Sequence, residues 1–150
     1  MNIPRLNLPE FELKFKKLNQ ELYIFDEVRK KYLKLTPEEW VRQHFVHYLI
    51  GHLQYPKSLV KIETGLAYNN LRKRTDIQVY NNRGIPEIIV ECKSFEIKIN
   101  PKTLLQISAY QFGLQCRFMV LTNGIQHFCF EHHHERGIIA IDQLPEYLPA

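Results

Sequence analysis

Arg74-Thr75-Asp76-Ile77-Gln78-Val79-Tyr80-Asn81-Asn82-Arg83-Gly84-Ile85-Pro86-Glu87-Ile88-Ile89-Val90-Glu91-Cys92-Lys93 is the stretch on which the fold turns. Arg74 to Tyr80 and Pro86 to Lys93 have strand character, and Asn81-Asn82-Arg83-Gly84 between them is turn chemistry, so an antiparallel hairpin is predicted. Alternate residues of a strand share a face. Ile77 and Val79 therefore form an apolar layer with Val90 and Cys92. Asp76, Gln78 and Tyr80 take the other face, together with Glu91 and Lys93. If the turn centres on Asn82-Arg83, Asp76 sits opposite Ile89 and Glu91 is its diagonal neighbour, roughly 7–8 Å away between backbones.

The flanks extend this hairpin into a fold. Upstream, Leu59 to Glu63 reads as a further strand. Before it, Thr36 is a good N-cap, Pro37 suits the first helical position, and Glu39 falls where a capping box places its acid. Trp40, Val41, Phe45, Tyr48 and Leu49 then recur at helical spacing, with Gly51 expected to close the helix. Leu22 to Asp26 is a short apolar run expected as an edge strand, and Leu6 to Lys17 an arm packed on the domain. Downstream, a helix is predicted over Lys102 to Phe112. Strands follow at Cys116 to Leu121, Ile125 to Phe130 and Ile138 to Ile141. The order gives an α/β fold: a mixed central β-sheet flanked by helices, as one domain over 1–150 with 1–35 an N-terminal extension.

Bulk properties set limits. The chain has 150 residues, 45% apolar and 24% charged, which is ordinary globular composition for one domain. A net charge of +4 permits a polyanionic partner without demanding one. Cys92, Cys116 and Cys129 show no C-x-x-C spacing, so a zinc site or disulfide framework is not expected and a reducing cytoplasm is the simplest home. No signal peptide and no apolar run of membrane-spanning length is read.

The polar face of the hairpin carries the chemistry. Two carboxylates with little neutralisation repel, and a divalent cation resolves the repulsion. Their oxygens suit Mg2+ or Mn2+, and the backbone carbonyl of Cys92 adds a possible ligand beside Asp76 and Glu91. Such a metal favours a water nucleophile, which Lys93 would orient or deprotonate, or Lys93 would steady the phosphorus centre. On residue types alone, a solvated, salt-bridged strand face is the commoner meaning of such a trio.

Asp76 followed by Glu91-Cys92-Lys93 resembles the D…ExK core of the PD-(D/E)XK nuclease superfamily. Arg74-Thr75-Asp76-Ile77, Ile88-Ile89-Val90-Glu91-Cys92-Lys93-Ser94 and Gln106-Ile107-Ser108-Ala109-Tyr110 resemble the N-terminal nuclease domain of the restriction subunit of type I restriction enzymes. Gln106 and Tyr110 match the family's Q-x-x-x-Y element. Thr36-Pro37-Glu38-Glu39-Trp40-Val41-Arg42-Gln43 and Tyr55-Pro56-Lys57-Ser58-Leu59 resemble small stand-alone members. The resemblance implies a restriction-endonuclease-like αβββαβ core and Mg2+-dependent DNA phosphodiester hydrolysis, with Asp76, Glu91, Lys93, Gln106 and Tyr110 catalytic. Larger members carry a helicase-like motor. No G-x-x-x-x-G-K-[ST] occurs here, so ATP-driven translocation is not expected of this chain.

Further candidates follow. A glutamate of the first helix often completes the metal site in this superfamily: Glu39 is the first candidate, its alternative role being the capping box, with Glu38 and Glu63 as fallbacks. Gln106 and Tyr110 share a helix face, either orienting Lys93 or stabilising the helix. Arg72, Lys73 and Arg74 suit DNA phosphates, Arg74 best. His44 and His47 read as core-edge residues, and His132 to His134 as loop. Two functions compete: a nuclease of a restriction or repair system, with DNA and other subunits as partners and a possible homodimer, or a non-catalytic nucleic-acid or partner-binding module that keeps the fold. A hydrolase acting on RNA or another phosphodiester is a third.

Overall fold

The computed structural model describes residues 2–68, 71–100, 102 and 116–149; for 63–68 and 71–75 only the backbone is described. Apart from Lys102, the helix expected over 102–112 lies outside the described residues, and Gln106 and Tyr110 with it.

The chain opens with a three-stranded antiparallel sheet, β1 (Phe15–Leu18), β2 (Glu21–Asp26) and β3 (Lys31–Lys34), in that order. The run Leu22 to Asp26 is therefore the centre of its own sheet, not an edge strand of the main one. Asn19 and Gln20, at φ 50 and 67, make the β1–β2 turn in the left-handed region that two-residue hairpin turns need. A helix, α1 (Pro37–His47), follows. A six-stranded mixed sheet completes the α/β fold: β4 (Val60–Tyr68), β5 (Leu71–Tyr80), β6 (Pro86–Cys92), β7 (Phe118–Thr122), β8 (His127–His133) and β9 (Gly137–Ile141). They are ordered as in the chain, with β6 and β7 parallel and every other pair antiparallel.

α1 starts as its sequence requires. The Thr36 hydroxyl accepts from the Glu39 N–H at 3.0 Å, and Pro37 occupies the first turn. Its end differs from expectation. Past His47 the backbone widens into a π-helical turn, Tyr48–His52, with the Leu53 N–H donating to the Tyr48 carbonyl at 3.0 Å. Gly51 lies inside that turn. The left-handed residue after it is Gln54 (φ 65), whose side-chain amide donates to the Gly51 carbonyl at 2.7 Å.

Two apolar clusters lie on the two faces of the main sheet. Val41 and Phe45 of α1 and Leu49 of the π-helical turn pack in one cluster with Val60, Ile77, Val79, Ile88, Val90, Cys92 and Val120. Ile99, Met119, Leu121 and Phe130 form the other cluster. Alternation along β6 and β7 produces this division, as the sequence predicts. The second face is less open than expected, since Gln78 and Ile89 at its centre are fully buried.

The β5–β6 register also differs. Gln78, not Asp76, is opposite Ile89, and Ile77 is opposite Val90. The connection is wider than a two-residue turn. The Asn81 side-chain oxygen accepts from the Arg83 and Ile85 N–H groups, Asn81 N–H donates to the Ile85 carbonyl at 2.8 Å, and the register shifts between Val79 and Tyr80. A slip of two residues keeps every side chain on its face. It moves Asp76 from a diagonal position to the level of Glu91, just past the last paired residues.

Of the arm expected over Leu6 to Lys17, the start packs on the domain, whereas Phe15 to Lys17 belong to β1. Leu6 is buried, and the Asn7 N–H donates to the Gly124 carbonyl at 2.8 Å. Gly124, at φ +85, is where a side chain would be costly: an added Cβ would stand 2.8 Å from a Leu6 methyl and 3.1 Å from a Val41 methyl. The leucine end can swing aside, but the left-handed backbone cannot be relieved. Gly124→Ala is expected to destabilise by about 1–3 kcal/mol, read as a lower urea midpoint at unchanged slope. An unaltered midpoint contradicts this.

Candidate active site

Where β5 and β6 part, a carboxylate takes the place of the ladder. Asp76 Oδ2 accepts from the Cys92 backbone N–H at 2.8 Å, while Oδ1 accepts from the Arg42 guanidinium at 2.8 Å. Arg42 rises from α1, is 5% exposed, and also meets Glu38 at 3.2 Å and Glu39 at 2.7 Å. One guanidinium thus gathers three acids from two elements, and its pKa is raised because their charges outweigh the effect of burial.

Glu39 takes one terminal nitrogen of Arg42, Nη1, whereas Asp76 and Glu38 share the other, Nη2. The Glu39 carboxylate accepts from Arg42, from Arg29 at 3.3 Å and from the Gln43 amide at 3.1 Å. Only its backbone N–H serves the cap, so the reciprocal half of the expected capping box is replaced by two arginines. Glu38 is the helix glutamate beside Asp76. Its pKa is raised by burial first and then by the Asp76 charge, with Arg42 and Lys93 pulling the other way.

Behind Glu39 the network continues. Asp26, fully buried, caps the turn before β3 by accepting from the Val28 and Arg29 N–H groups, and its other oxygen takes Arg29 Nε at 2.7 Å and the Gln43 amide at 3.0 Å. Burial alone would raise its carboxyl, but these donors and the Arg29 charge hold it below the usual range. A chain of contacts therefore runs Asp26–Arg29–Glu39–Arg42–Asp76. Beside it, Gln43 Oε1 is buried with no hydrogen-bond partner among the described residues.

Glu91 on β6 and Lys93 just past its end form a loose pair at 3.8 Å, Lys93 being 42% exposed. The Lys93 backbone N–H donates to Thr122 of β7 at 2.8 Å, which fixes the strand just past its end. The Cys92 thiol is buried and its pKa is pushed well up, by burial and then by the Asp76 charge, so it is no nucleophile. Glu63 lies between Ile62, opposite Ile77, and Thr64, opposite Thr75, which sets its backbone level with Asp76. The side chains of Glu63, Arg72, Lys73 and Arg74 lie outside the described residues.

Among the described residues no three His, Cys, Asp or Glu side chains are grouped as a metal-binding set. Glu38 and Asp76 nevertheless converge on one cation, the Arg42 guanidinium, and Glu91 adds a carboxylate on the adjoining strand, oxygen donors of the kind a hard divalent ion takes.

Sequence reasoning did not single out Arg42, Arg29, Asp26 or Gln43. The local signal existed for two of them: Arg42 follows Glu38 and Glu39 at i+4 and i+3, and Gln43 follows Glu39 at i+4. Of the histidines, His44 is buried at the core edge, as read. His132 and His133 end β8 instead of lying in a loop.

The family model for the type I restriction enzyme R protein N terminus (HSDR_N) matches residues 37–145. The chain belongs to this family. Among curated proteins nothing matches. As an HSDR_N domain it has a restriction-related nuclease character, with DNA and restriction subunits as the partners that family suggests. Glu38, Arg42, Asp76, Glu91 and Lys93 all fall within the matched residues, whereas Asp26, Arg29 and the three-stranded sheet precede them. Among the described residues no helix is long and apolar enough to cross a membrane.

The electrostatics give the domain a defined acid response. Burial holds the His44 and His127 imidazoles below their usual range, and burial does the same for His47 against the pull of Glu27. A lowered histidine takes up its proton more readily when unfolded, so its stabilisation is full above about pH 6.5 and is lost as pH falls below that value through the lowered folded-state pKa. The lowered Asp26 acts in the same sense further down, its contribution disappearing as pH falls through the aspartate range. Glu38, with a raised pKa, opposes both, but it is half exposed and solvent screens it. The melting temperature is expected to fall steadily from pH 7 to pH 5; a flat or rising curve contradicts this.

Proposed function

We propose that the domain hydrolyses DNA phosphodiester bonds with Mg2+ or Mn2+, using Asp76, Glu91 and the Cys92 carbonyl as ligands. Glu38 is the helix glutamate that joins them. The reading rests chiefly on one observation: Asp76 and Glu38 turn toward a common cation where β5 and β6 part, with Glu91 and Lys93 on the next strand. The ion would offset charge on the phosphate and favour ionisation of an attacking water. The Lys93 ammonium, partly exposed and only loosely paired, donates a hydrogen bond to a phosphate oxygen and orients the water. Asp76 is held in position by the Cys92 N–H and Arg42. Glu39 and Asp26 fix Arg42 from behind. Gln106 and Tyr110 are proposed to orient Lys93, and Arg72, Lys73 and Arg74 to contact phosphates; both roles rest on the family resemblance and the placement of β5. Restriction or repair subunits, or a second copy of the chain, are the partners proposed for double-strand cleavage.

A second reading has one observation in its favour. Arg42 already satisfies Asp76 Oδ1, as it would in a DNA-binding module that had dispensed with the ion. Plasmid nicking separates the two. Cleavage that requires magnesium or manganese and disappears in Asp76→Ala and Glu91→Ala supports hydrolysis. DNA binding without cleavage under any divalent ion supports the binding module. Cleavage that survives EDTA or both substitutions overturns the site.

A further inference from the structure

The outward face of the N-terminal sheet is a checkerboard of lysines and aromatic rings. Across β1, β2 and β3, Lys16, Tyr23 and Lys34 are paired in one row. In the next, Phe25 is paired with Tyr32 and bonded through its N–H to the Lys14 carbonyl. Alternation puts the side chains of both rows on the face away from Ile24 and Asp26, which are fully buried. Lys14 Nζ lies 5.5 Å from the Phe25 ring centre and Lys16 Nζ 5.5 Å from that of Tyr32, and the two rings are 5.1 Å apart. Tyr32 is 41% exposed. The acids lie at the two ends of the face: Glu21 pairs with Lys34 at 3.0 Å, and Glu27 with Lys14 at 3.7 Å. Lys16, on the edge strand β1, has no acidic partner among the described residues.

We propose that this face binds single-stranded nucleic acid, bases stacking on Tyr23, Phe25 and Tyr32 while Lys14, Lys16 and Lys34 hold the phosphates. Rings interleaved with cations on one sheet face, Tyr32 exposed and Tyr23 and Phe25 half-buried, are the combination that strands with unpaired bases exploit. A duplex hides its base faces and would leave the rings unused. An acidic protein or membrane surface needs the lysines but not the rings. The face precedes the residues matched to the family and is joined to the candidate active site through Arg29, Glu39 and Arg42, so a strand held here is held on the same framework as Asp76.

The test uses the whole chain in EDTA, which separates it from any cleavage, with anisotropy of a fluorescein-labelled thymidine 15-mer at low salt. The wild type is expected to bind, and Tyr32→Ala and the double variant Lys16→Glu, Lys34→Glu each to weaken binding on the order of tenfold. All of these positions are exposed, and unchanged melting curves show that the variants remain folded. A uridine 15-mer bound in the same variant-sensitive way supports the platform equally and shows that it accepts either sugar. Three outcomes overturn the proposal: no binding of either oligomer; loss in the lysine variant alone, which reduces the face to a polyanion site; or variant-sensitive binding of anionic phosphatidylserine vesicles without oligomer binding.

Discussion

Glu39→Ala is expected to lower the stability of this domain by about 3–5 kcal/mol, because it strips one buried carboxylate from two arginines. Glu39 is 6% exposed and Arg42 5%, so water cannot enter freely to replace the lost acceptor. Arg42 retains Asp76 and Glu38, and Arg29 retains Asp26, which keeps the cost from rising further. At this chain length the loss corresponds to a fall in melting temperature on the order of 10–15 °C. Glu39→Gln is the informative companion: the shape is preserved and one oxygen can still accept, so a smaller drop is expected. An Ala variant that melts with the wild type would mean that the arginines find other partners, and that the path from Asp26 to Asp76 carries little.

Lys93→Ala should have the largest effect on catalysis with the smallest effect on folding. A positioned group that transfers or directs a proton contributes on the order of 10²–10⁴ in rate, and loss within that range is expected in metal-dependent cleavage. The side chain is 42% exposed and its contact with Glu91 is long, so the melting temperature should move little. Asp76 is a less clean target, since its removal also deprives the Cys92 N–H and Arg42 of an acceptor and mixes chemistry with stability. Lys93→Arg is expected to restore little activity, because a planar fork does not replace a compact ammonium at one oxygen. Full activity in Lys93→Ala, measured with folded protein, would remove Lys93 from the mechanism.

The legible parts of the fold are those with local causes. Thr36 and Pro37 set the start of α1 through groups within one turn, and Asn81 to Gly84 announce the hairpin. The alternation of Ile88, Val90 and Cys92 against Ile89 and Glu91 survives, the first three lying in the cluster packed under α1 and the other two outside it. The register did not follow from the turn residues, because it depends on Asn81 bonding to residues up to four positions ahead and on the shift beside Tyr80. β1 and β3 were missed for a different reason: Phe-Lys-Lys-Leu and Lys-Tyr-Leu-Lys are short and charged, and the turn between β1 and β2 is made by Asn19 and Gln20 with no glycine. Arg42 was overlooked because its importance is tertiary. In the helix it is one polar residue among several, and only the packing of α1 against the strand ends turns it toward Asp76.

The guanidinium that bridges Glu38 and Asp76 has a consequence for how the protein is made. Many small metalloproteins remain unfolded until their ion arrives, since repelling ligands oppose collapse. Here the acids come with a cation encoded in the same chain, 2.8 Å from Asp76. Folding of the domain is thereby expected to proceed without any added ion: the chain should keep its shape through a chelating wash, because the charge that quiets its acids is part of its own sequence.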